Sequence, residues 1–477
     1  MPTILLSLAL GLALLLSGCT LAPKVVLPEP PVASQWPATA TAAAPAAAFD
    51  PAALDWRPFV ADASLQRLIE MALEGNRDLR LACLAVERTR ALYGVQRSEL
   101  FPAITGTAGG SRQRHSVDLL SEGQPTRSEH YAADLGVLSW EIDFFGRIRS
   151  LKDEAMQQYL ASEQGRRGAQ ILLVASVAEA YLTLAADLDG LALARQTLQT
   201  QQDAYGLVRR QAEQALVTEL DVRRAQIPVE TARADMARYS LRVAQDRHAL
   251  DLLVGSAVPE ALLPRGLSQV ALAQEVVPGL PSEVLLARPD VLAAEHQLRA
   301  AHAIIGAARA AFFPRLALTS TVGTASTELS RLFENGRGTW AFAPALSMPI
   351  FDARVWSAYR VSGVQRQIAV TQYERAIQSA FREVADALAL RRTVAEQRAA
   401  QEALVEALTE THRLAQMRFE RGIDSYLSVL DAQRSLFAGQ QGLIAVQLAQ
   451  RLSQVQLFAA LGGGWQAPAR AAVGAGS

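Results

Sequence analysis

The sequence predicts a mainly α-helical fold that is built twice, with one β-hairpin in each half. Three observations support this prediction: an internal repeat, two very long helical patterns, and two segments of alternating polarity. The chain has 477 residues, of which 50% are hydrophobic and only 6% aromatic. Alanine and leucine supply most of the apolar content, which is typical of long packed helices rather than of an all-β core.

The repeat appears as residues that recur at a nearly constant distance along the chain. The distance is 212 positions near the start of each half and falls to 207 near its end. The recurring residues include Gly94 with Gly306, Phe101-Pro102 with Phe313-Pro314, Leu220 with Leu427, and Gln226 with Gln433. We therefore divide the folded chain into a first repeat, residues 64–280, and a second repeat, residues 281–461. Both repeats must form the same arrangement of elements.

Each repeat is predicted to contain a helix of unusual length. Apolar residues stand seven apart from Val177 to Tyr205, and a spacing of three and four continues from Val361 to Phe419. Each pattern covers about 60 residues, or roughly 90 Å at 1.5 Å per residue. A first helix precedes each hairpin, at residues 64–100 and 289–312, and a final helix follows each long one. Helices of this length do not belong to a compact enzyme domain.

The segments of alternating polarity predict β-strands. From Asp134 to Phe144 and from Trp340 to Ile350, apolar and small or polar residues alternate, with aromatic residues near the ends. This pattern fits strands that face lipid on one side and water on the other. The partner strands would be residues 103–114 and 315–326, which gives hairpins at about residues 101–145 and 313–351.

Two soluble hairpins packed on the helices would show the same alternation, and the residues alone leave both alternatives open. If the strands do cross a membrane, four of them cannot close a barrel. An open edge in lipid leaves unpaired backbone groups, each of which costs several kcal/mol. Several copies of the chain would then have to share their strands, and their long helices as well.

The N-terminus is predicted to be a sorting signal. The apolar run from Ile4 to Leu16 is too short to span a bilayer. The following Leu16-Ser17-Gly18-Cys19 resembles the bacterial lipobox, which implies a lipoprotein signal peptide at residues 1–18 and a diacylated Cys19, palmitate being a typical acyl group. An ordinary secreted protein with a chance cysteine is the alternative. Residues 19–63 are rich in proline and alanine and would form an extended lipid-anchored strap, and residues 462–477 a flexible tail.

Other classes of function find little support in the sequence. The formal net charge of −1 supplies no large basic field for nucleic acid. The six histidines include no pair at positions i and i+4, and the Gly462-Gly463-Gly464 run has no lysine of a phosphate-binding loop behind it. We therefore expect no catalytic residues, no metal site, and no cofactor other than covalent lipid on Cys19.

Several strings resemble the outer membrane efflux proteins, the TolC-like channels, and within them the OprM-like lipoprotein branch. They are the lipobox, the two Phe-Pro pairs, Trp140 to Arg147 (WEIDFFGR), Arg418 to Gly422 (RFERG) and Tyr426 to Arg434 (YLSVLDAQR). The resemblance covers the whole mature chain. It implies a homotrimer with a shared twelve-stranded barrel in the outer membrane and a twelve-helix tube that crosses the periplasm. It also implies docking with a periplasmic adaptor and an inner-membrane pump of the resistance-nodulation-division (RND) class, which exports antibiotics and other toxic compounds.

The resemblance further implies a gate at the periplasmic helix tips. Leu427 and Asp431 match the family's gate positions, and because they are four apart they project from one helix face. Three copies would make an apolar ring and an acidic ring. Arg224 is the repeat equivalent of Asp431, and Arg224 with Arg418 or Arg421 is expected to form ion pairs that stabilise the closed state. The alternative is that Asp431 only caps or solvates a helix.

The tips themselves are the predicted docking surface for the adaptor. The residues assigned to this surface are Thr218, Gly422, Asp424 and Ser425, with Gly422 allowing a tight turn. Two rival functions stay open. One is a TolC-like channel for type I protein secretion. The other is a periplasmic adaptor lipoprotein, which would need one long hairpin, whereas this chain has two units of the same plan.

Overall fold

A computed structural model describes residues 20–33, 36, 55–116, 118, 121, 125–272 and 282–463. The predicted signal peptide and Cys19, residues 34–35 and 37–54 of the predicted strap, and the predicted tail from residue 464 lie outside these residues. Within them the chain is mostly helical with one small antiparallel sheet, as the sequence predicts. The helices are α1 Trp56–Phe59, α2 Ala63–Gly75, α3 Arg77–Ser98, α4 Arg147–Glu213, α5 Glu219–Val254, α6 Pro289–Ala310, α7 Ala353–Glu420 and α8 Tyr426–Ala460. The strands are β1 Ile104–Arg114, β2 Arg127–Ile142, β3 Arg315–Ser326 and β4 Gly338–Ser347.

The two long helices are slightly longer than predicted, with 67 residues in α4 and 68 in α7. The apolar part of α4 has the length and composition of a membrane-spanning helix, but 61% of that stretch is buried inside the protein. Burial of this extent is what a core helix shows, and α4 supplies residues from Leu173 to Ala194 to the main hydrophobic cluster.

The predicted first helix, residues 64–100, is wrong in one respect, because the structure divides it at Asn76. The Asn76 side chain accepts a hydrogen bond from the Leu79 N–H at 2.9 Å and so caps the start of α3. Its amide also donates to the Leu253 carbonyl at 2.8 Å. An asparagine whose side chain bonds backbone groups of two different helices favours a helix boundary over a helix interior.

The first of two compact units contains the sheet, and among the described residues it comprises the segment that ends at Glu29 together with Ala85–Glu163 and Ala293–Glu374. Its strands pair in the order β1-β2-β3-β4, all antiparallel. The two predicted hairpins are therefore joined through β2 and β3 into one sheet, and β1 and β4 are its edge strands. Both edge strands are exposed along their whole length.

The predicted alternation along residues 134–144 is wrong because β2 carries an irregularity. Val137 pairs with Ser320 and Trp140 with Leu318, so β2 advances three residues while β3 advances two. The extra residue reverses which face later side chains point to. Leu135 and Leu138, placed on opposite faces by strict alternation, are both more than half exposed.

The WEIDFFGR string forms the link from β2 to α4. The Arg147 guanidinium donates two hydrogen bonds to the Glu141 carboxylate, at 2.8 and 2.7 Å. The Arg149 guanidinium lies 3.2 Å from the Asp143 carboxylate. Gly146 supplies the left-handed backbone of the turn, with φ of 75°. Ion pairs between acidic residues at the start of the link and basic residues at its end thus fix the direction in which the chain leaves β2.

The second compact unit comprises the described residues within Pro30–Leu84, Gln164–Leu292 and Arg375 to residue 463, and it contains the larger core. Trp56, Leu65 and Leu68 from the N-terminal helices pack there with residues of α4, α5 and α8. Phe59 stacks on Phe458 with ring centroids 4.3 Å apart. Each unit takes segments from both halves of the repeat, so a repeat is not a compact unit.

Candidate gate and docking tips

Two tight turns connect the long helices to the helices that follow them. After α7, the Ile423 N–H donates to the Arg418 carbonyl at 2.9 Å and the Gly422 N–H to the Phe419 carbonyl at 2.9 Å. Gly422 has φ of 69°, in the left-handed region. This pair of bonds around a left-handed residue is the Schellman motif, which ends a helix by satisfying its last carbonyls.

The turn after α4 has the same hydrogen bonds at positions 207 residues earlier. The Leu216 N–H donates to the Gln211 carbonyl and the Ala215 N–H to the Ala212 carbonyl, both at 2.9 Å. Ala215 occupies the position of Gly422 and has φ of 57°. An alanine in this conformation is strained where glycine is not. The repeat therefore extends to single backbone angles, although the residue types differ.

Different side chains stabilise the two turns. Thr218 precedes α5 and forms a capping box: its hydroxyl accepts from the Asp221 N–H, and the Asp221 carboxylate accepts from the Thr218 N–H at 3.0 Å. Ser425, the equivalent of Thr218, makes no such side-chain bond. Instead, the Arg418 guanidinium donates to both carboxylate oxygens of Asp424.

Both acidic residues titrate below their ordinary range. Hydrogen bonds from the Arg418 side chain, with its positive charge, lower the pKa of Asp424. Hydrogen bonds from the Thr218 hydroxyl and backbone lower the pKa of Asp221. Each carboxylate is therefore charged at neutral pH.

Aromatic and apolar side chains pack between the two turns. Val208, Val222 and Ala225 form a small buried cluster, and Tyr426 of the second turn packs against it. Phe419 lies 5.1 Å from Tyr426, centroid to centroid. The cluster links the α4–α5 hairpin to the start of α8, so movement of one hairpin against the other would disturb these contacts.

The structure brings three of the predicted gate residues together. Leu427 and Asp431 lie one turn apart on α8, and Leu427 is 54% exposed. Both line a cavity whose opposite wall includes Arg224 of α5. Arg418 and Arg421, the other two predicted gate residues, lie at the end of α7 and in the turn and are not among the residues lining that cavity.

The ion pairs made by three of the predicted gate residues connect near neighbours. Asp431 pairs with Arg434 at 2.5 Å, and Arg224 lies 4.0 Å from Asp221. Arg418 pairs with Asp424. Arg224 and Arg418 were expected to form ion pairs, and each has an acidic partner within its own hairpin. The gate role of these residues stays a prediction.

Leu216 and Ile423 lie within the helix tips predicted as the docking surface, residues 215–218 and 422–425, and are 69% and 58% exposed. Each follows the left-handed residue of its turn, where an apolar side chain commonly accompanies a Schellman motif. Sequence reasoning missed Gln201 and Phe437, which also line the cavity. They carried no signal, because only the packing of α4, α5 and α8 brings them together.

Two long helical hairpins and a four-stranded antiparallel sheet with two edge strands define a TolC-like channel fold. The model of the family described as "Outer membrane efflux protein" matches residues 68–256 and 280–463. The chain belongs to this outer membrane efflux protein family, and it is a channel of the outer membrane rather than a soluble protein with surface hairpins.

Relatives along nearly the whole chain carry the same kind of name. The antibiotic efflux pump outer membrane protein ArpC of Pseudomonas putida is 47% identical over 465 residues, which cover 97% of this chain and 96% of ArpC. The toluene efflux pump outer membrane protein TtgC of the same species is also 47% identical, with the same coverage. The open-state structure of the MtrE outer membrane channel of Neisseria gonorrhoeae is 37% identical, with a TM-score of 0.85 over 94% of this chain and 99% of MtrE.

Proposed function

We propose that this protein is the outer-membrane exit channel of a tripartite efflux pump of the RND class. It would pass antibiotics, solvents and other small toxic compounds from the periplasm to the exterior. The observation that supports this most directly is the exposed face of α8, where Leu427 and Asp431 stand beside the two turns. Two relatives are named as outer membrane proteins of an antibiotic efflux pump and a toluene efflux pump, which agrees with this proposal.

The functional unit is a homotrimer. The sheet of one chain has two edge strands, β1 and β4, and both are exposed. In lipid, the backbone N–H and C=O groups at such edges need hydrogen-bond partners from protein. Pairing β4 of one copy with β1 of the next gives twelve strands from three copies, which is within the range of closed membrane barrels.

The tips dock with a periplasmic adaptor, which in turn joins the channel to an inner-membrane RND pump. The two turns offer Thr218, Gly422, Asp424 and Ser425 together with the exposed apolar side chains of Leu216 and Ile423. Docking separates contacts between hairpins and opens the gate formed by Leu427 and Asp431. Covalent lipid on Cys19 anchors the strap in the outer membrane.

Deletion of the gene with the cognate pump intact tests the function. The deletion strain should become more susceptible to pump substrates and accumulate them, and a plasmid copy should restore export. Secreted proteins in the medium should stay unchanged. If accumulation is unchanged and a secreted protein is lost, the type I secretion alternative is correct.

The anchor and the assembly need their own measurements. Metabolic labelling with palmitate should mark the wild-type protein and leave Cys19→Ser unlabelled, since serine has no thiol. Native mass spectrometry of the purified protein should give the mass of three chains. A monomeric particle that still conducts would contradict the shared barrel.

A further inference from the structure

A cavity of about 260 Å³ lies between α4, α5 and α8, beside the predicted gate residues. It is smaller than the roughly 300–1,000 Å³ of pockets for drug-sized ligands. Its apolar walls come from Ile227, Pro228 and Ala232 of α5 and from Leu427, Leu430 and Phe437 of α8. α4 contributes Thr197 and Gln201.

One polar atom at this cavity has no partner among the described residues. Gln201 is only 4% exposed, and its side-chain oxygen is buried without a hydrogen bond. Burying such a group without a partner costs free energy, and native proteins rarely leave one unsatisfied. Gln201 is one of the residues lining the cavity. Its oxygen has no accessible surface in this arrangement, so a molecule in the cavity reaches it after a rotation of the side-chain amide.

A second acceptor follows from Pro228. Proline has no N–H, so the carbonyl of Arg224 lacks the donor that a helix normally places four residues later. Arg224 lines the same cavity. The cavity therefore has apolar walls and two lining residues, Gln201 and Arg224, that each carry a hydrogen-bond acceptor without its usual donor.

The charged side chains of the cavity balance one another. Asp431 pairs with Arg434 at 2.5 Å, and Asp235 pairs with Arg238 at 2.7 Å. Arg224 has Asp221 at 4.0 Å. With each charge already beside an opposite one, the cavity favours an uncharged occupant.

We propose that this cavity binds a small, uncharged, mainly apolar molecule that carries a hydroxyl or N–H group, of the size of a substituted phenol. Its donor hydrogen-bonds Gln201 and its ring packs between α5 and α8. Since the occupant contacts both helices, it stabilises their present arrangement against any in which they separate. This binding site does not depend on the proposed efflux function and can be tested on the purified protein.

Photoaffinity labelling of the full-length trimer tests the site. The probe is a phenol with a para trifluoromethyl-diazirine, and labelled peptides are identified by mass spectrometry. Labels are expected within residues 224–235 and 427–437. Excess 4-propylphenol should displace the probe, whereas 4-propylanisole, which has the same shape without a donor, should displace it at least about fivefold less well.

Two substitutions on α4 form a matched pair. Gln201→Met keeps the length of the side chain and removes the acceptor, so labelling at these peptides should fall by about fivefold. Gln202→Met changes the neighbouring exposed glutamine and should leave labelling unchanged. Circular dichroism and the trimer band confirm that both variants fold.

Three results would overturn the proposal. One is labelling spread over the protein with none enriched at the two segments. Another is equal displacement by the phenol and the anisole, which would mean that the donor is irrelevant. The third is unchanged labelling in a folded Gln201→Met trimer. Loss of export in cells would not affect any of these readouts.

Discussion

The guanidinium of Arg418 donates two hydrogen bonds to the carboxylate of Asp424, at 2.6 and 3.0 Å, across the turn between α7 and α8. The two residues are six apart, so this ion pair closes a turn rather than stabilising a single helix. Its repeat equivalents, Gln211 and Val217, cannot form such a pair. The second turn is therefore stabilised by charge and the first by the capping box of Thr218.

Asp424→Asn should loosen the second turn, because the amide replaces a charged acceptor. Backbone amides of residues 418–426 should exchange hydrogen several-fold faster, measured by mass spectrometry on the trimer. Arg413→Gln is the matched control: Arg413 pairs with Glu410 inside α7 and spans no turn. Equal exchange in both variants would show that the Arg418–Asp424 pair does not stabilise the turn.

The same pair sets an expectation for pH. The pKa of Asp424 is lowered in the folded protein, so the pair contributes stability above the ordinary aspartate pKa. That contribution is lost only as the pH falls through the lowered value. Exchange at the second turn, corrected for intrinsic rates, should therefore not change between about pH 7 and 5.

The left-handed residues of the two turns give a reciprocal prediction. Gly422→Ala should destabilise its turn by about 1 kcal/mol, because alanine is strained in the left-handed conformation. An added Cβ would meet no described atom within 4 Å, so no steric clash adds to this cost. Ala215→Gly should relieve the corresponding strain. Chemical denaturation of the periplasmic helices, followed by circular dichroism, measures both. Shifts of the same sign in the two variants would contradict the equivalence of the turns.

Two carboxylates face each other between α4 and α5. Burial, together with the neighbouring carboxylate of Asp187, raises the pKa of Asp246 to about 6, although the Arg242 guanidinium opposes the shift. Arg242 lies 3.7 Å from Asp187. The folded protein thus binds a proton more tightly at Asp246 than the unfolded chain does, and stability at this site falls as the pH rises through about 4 to 6.

Asp246→Asn should remove this pH dependence and stabilise the protein at pH 7 by about 1 kcal/mol, allowing for solvent screening. Apparent melting temperatures of the trimer at pH 5 and pH 7 are the measurement. The wild type should lose more stability than the variant on going to pH 7. Glu230→Gln, an exposed carboxylate on the same helix, is the control, and an identical pH response in Asp246→Asn and wild type would contradict the prediction.

The elements that follow from periodicity were predictable, and those that depend on single side-chain contacts were not. The bounds predicted for β3, residues 315–326, are those observed: Pro314 precedes the strand, and its pairing with β4 continues without interruption from Arg315 to Thr324. The predicted helix at residues 64–100 ran through Asn76, although Asn76 begins a helical pattern in the sequence and caps α3 through the nearby Leu79 N–H. Its second hydrogen bond, to Leu253 177 residues away, could not be predicted from the sequence. The irregularity between Val137 and Trp140 leaves no mark in a pattern of alternating residues.

The candidate site was likewise predictable only in part. The repeat aligned Arg224 with Asp431, and the structure places both on one cavity. The alignment could not supply their partners, since Arg434 and Asp221 lie within three residues of them on their own helices. Neighbour pairs of this kind are a property of helix geometry and compete with any pairing between hairpins.

Asp431→Ala should raise the single-channel conductance of the trimer in planar bilayers. The carboxylate is 65% exposed and is placed with Leu427 on one face of α8, so three copies form a ring in the proposed channel. Removing the ring removes charge and bulk together, and cation selectivity should fall at the same time. Asp203→Ala, which changes an exposed carboxylate on α4, should leave both quantities unchanged. Unchanged conductance in a folded Asp431→Ala trimer would rule out a gate at this residue. The alternative is a carboxylate that only solvates its helix, and Arg434→Ala, which removes its ion-pair partner, tests that alternative.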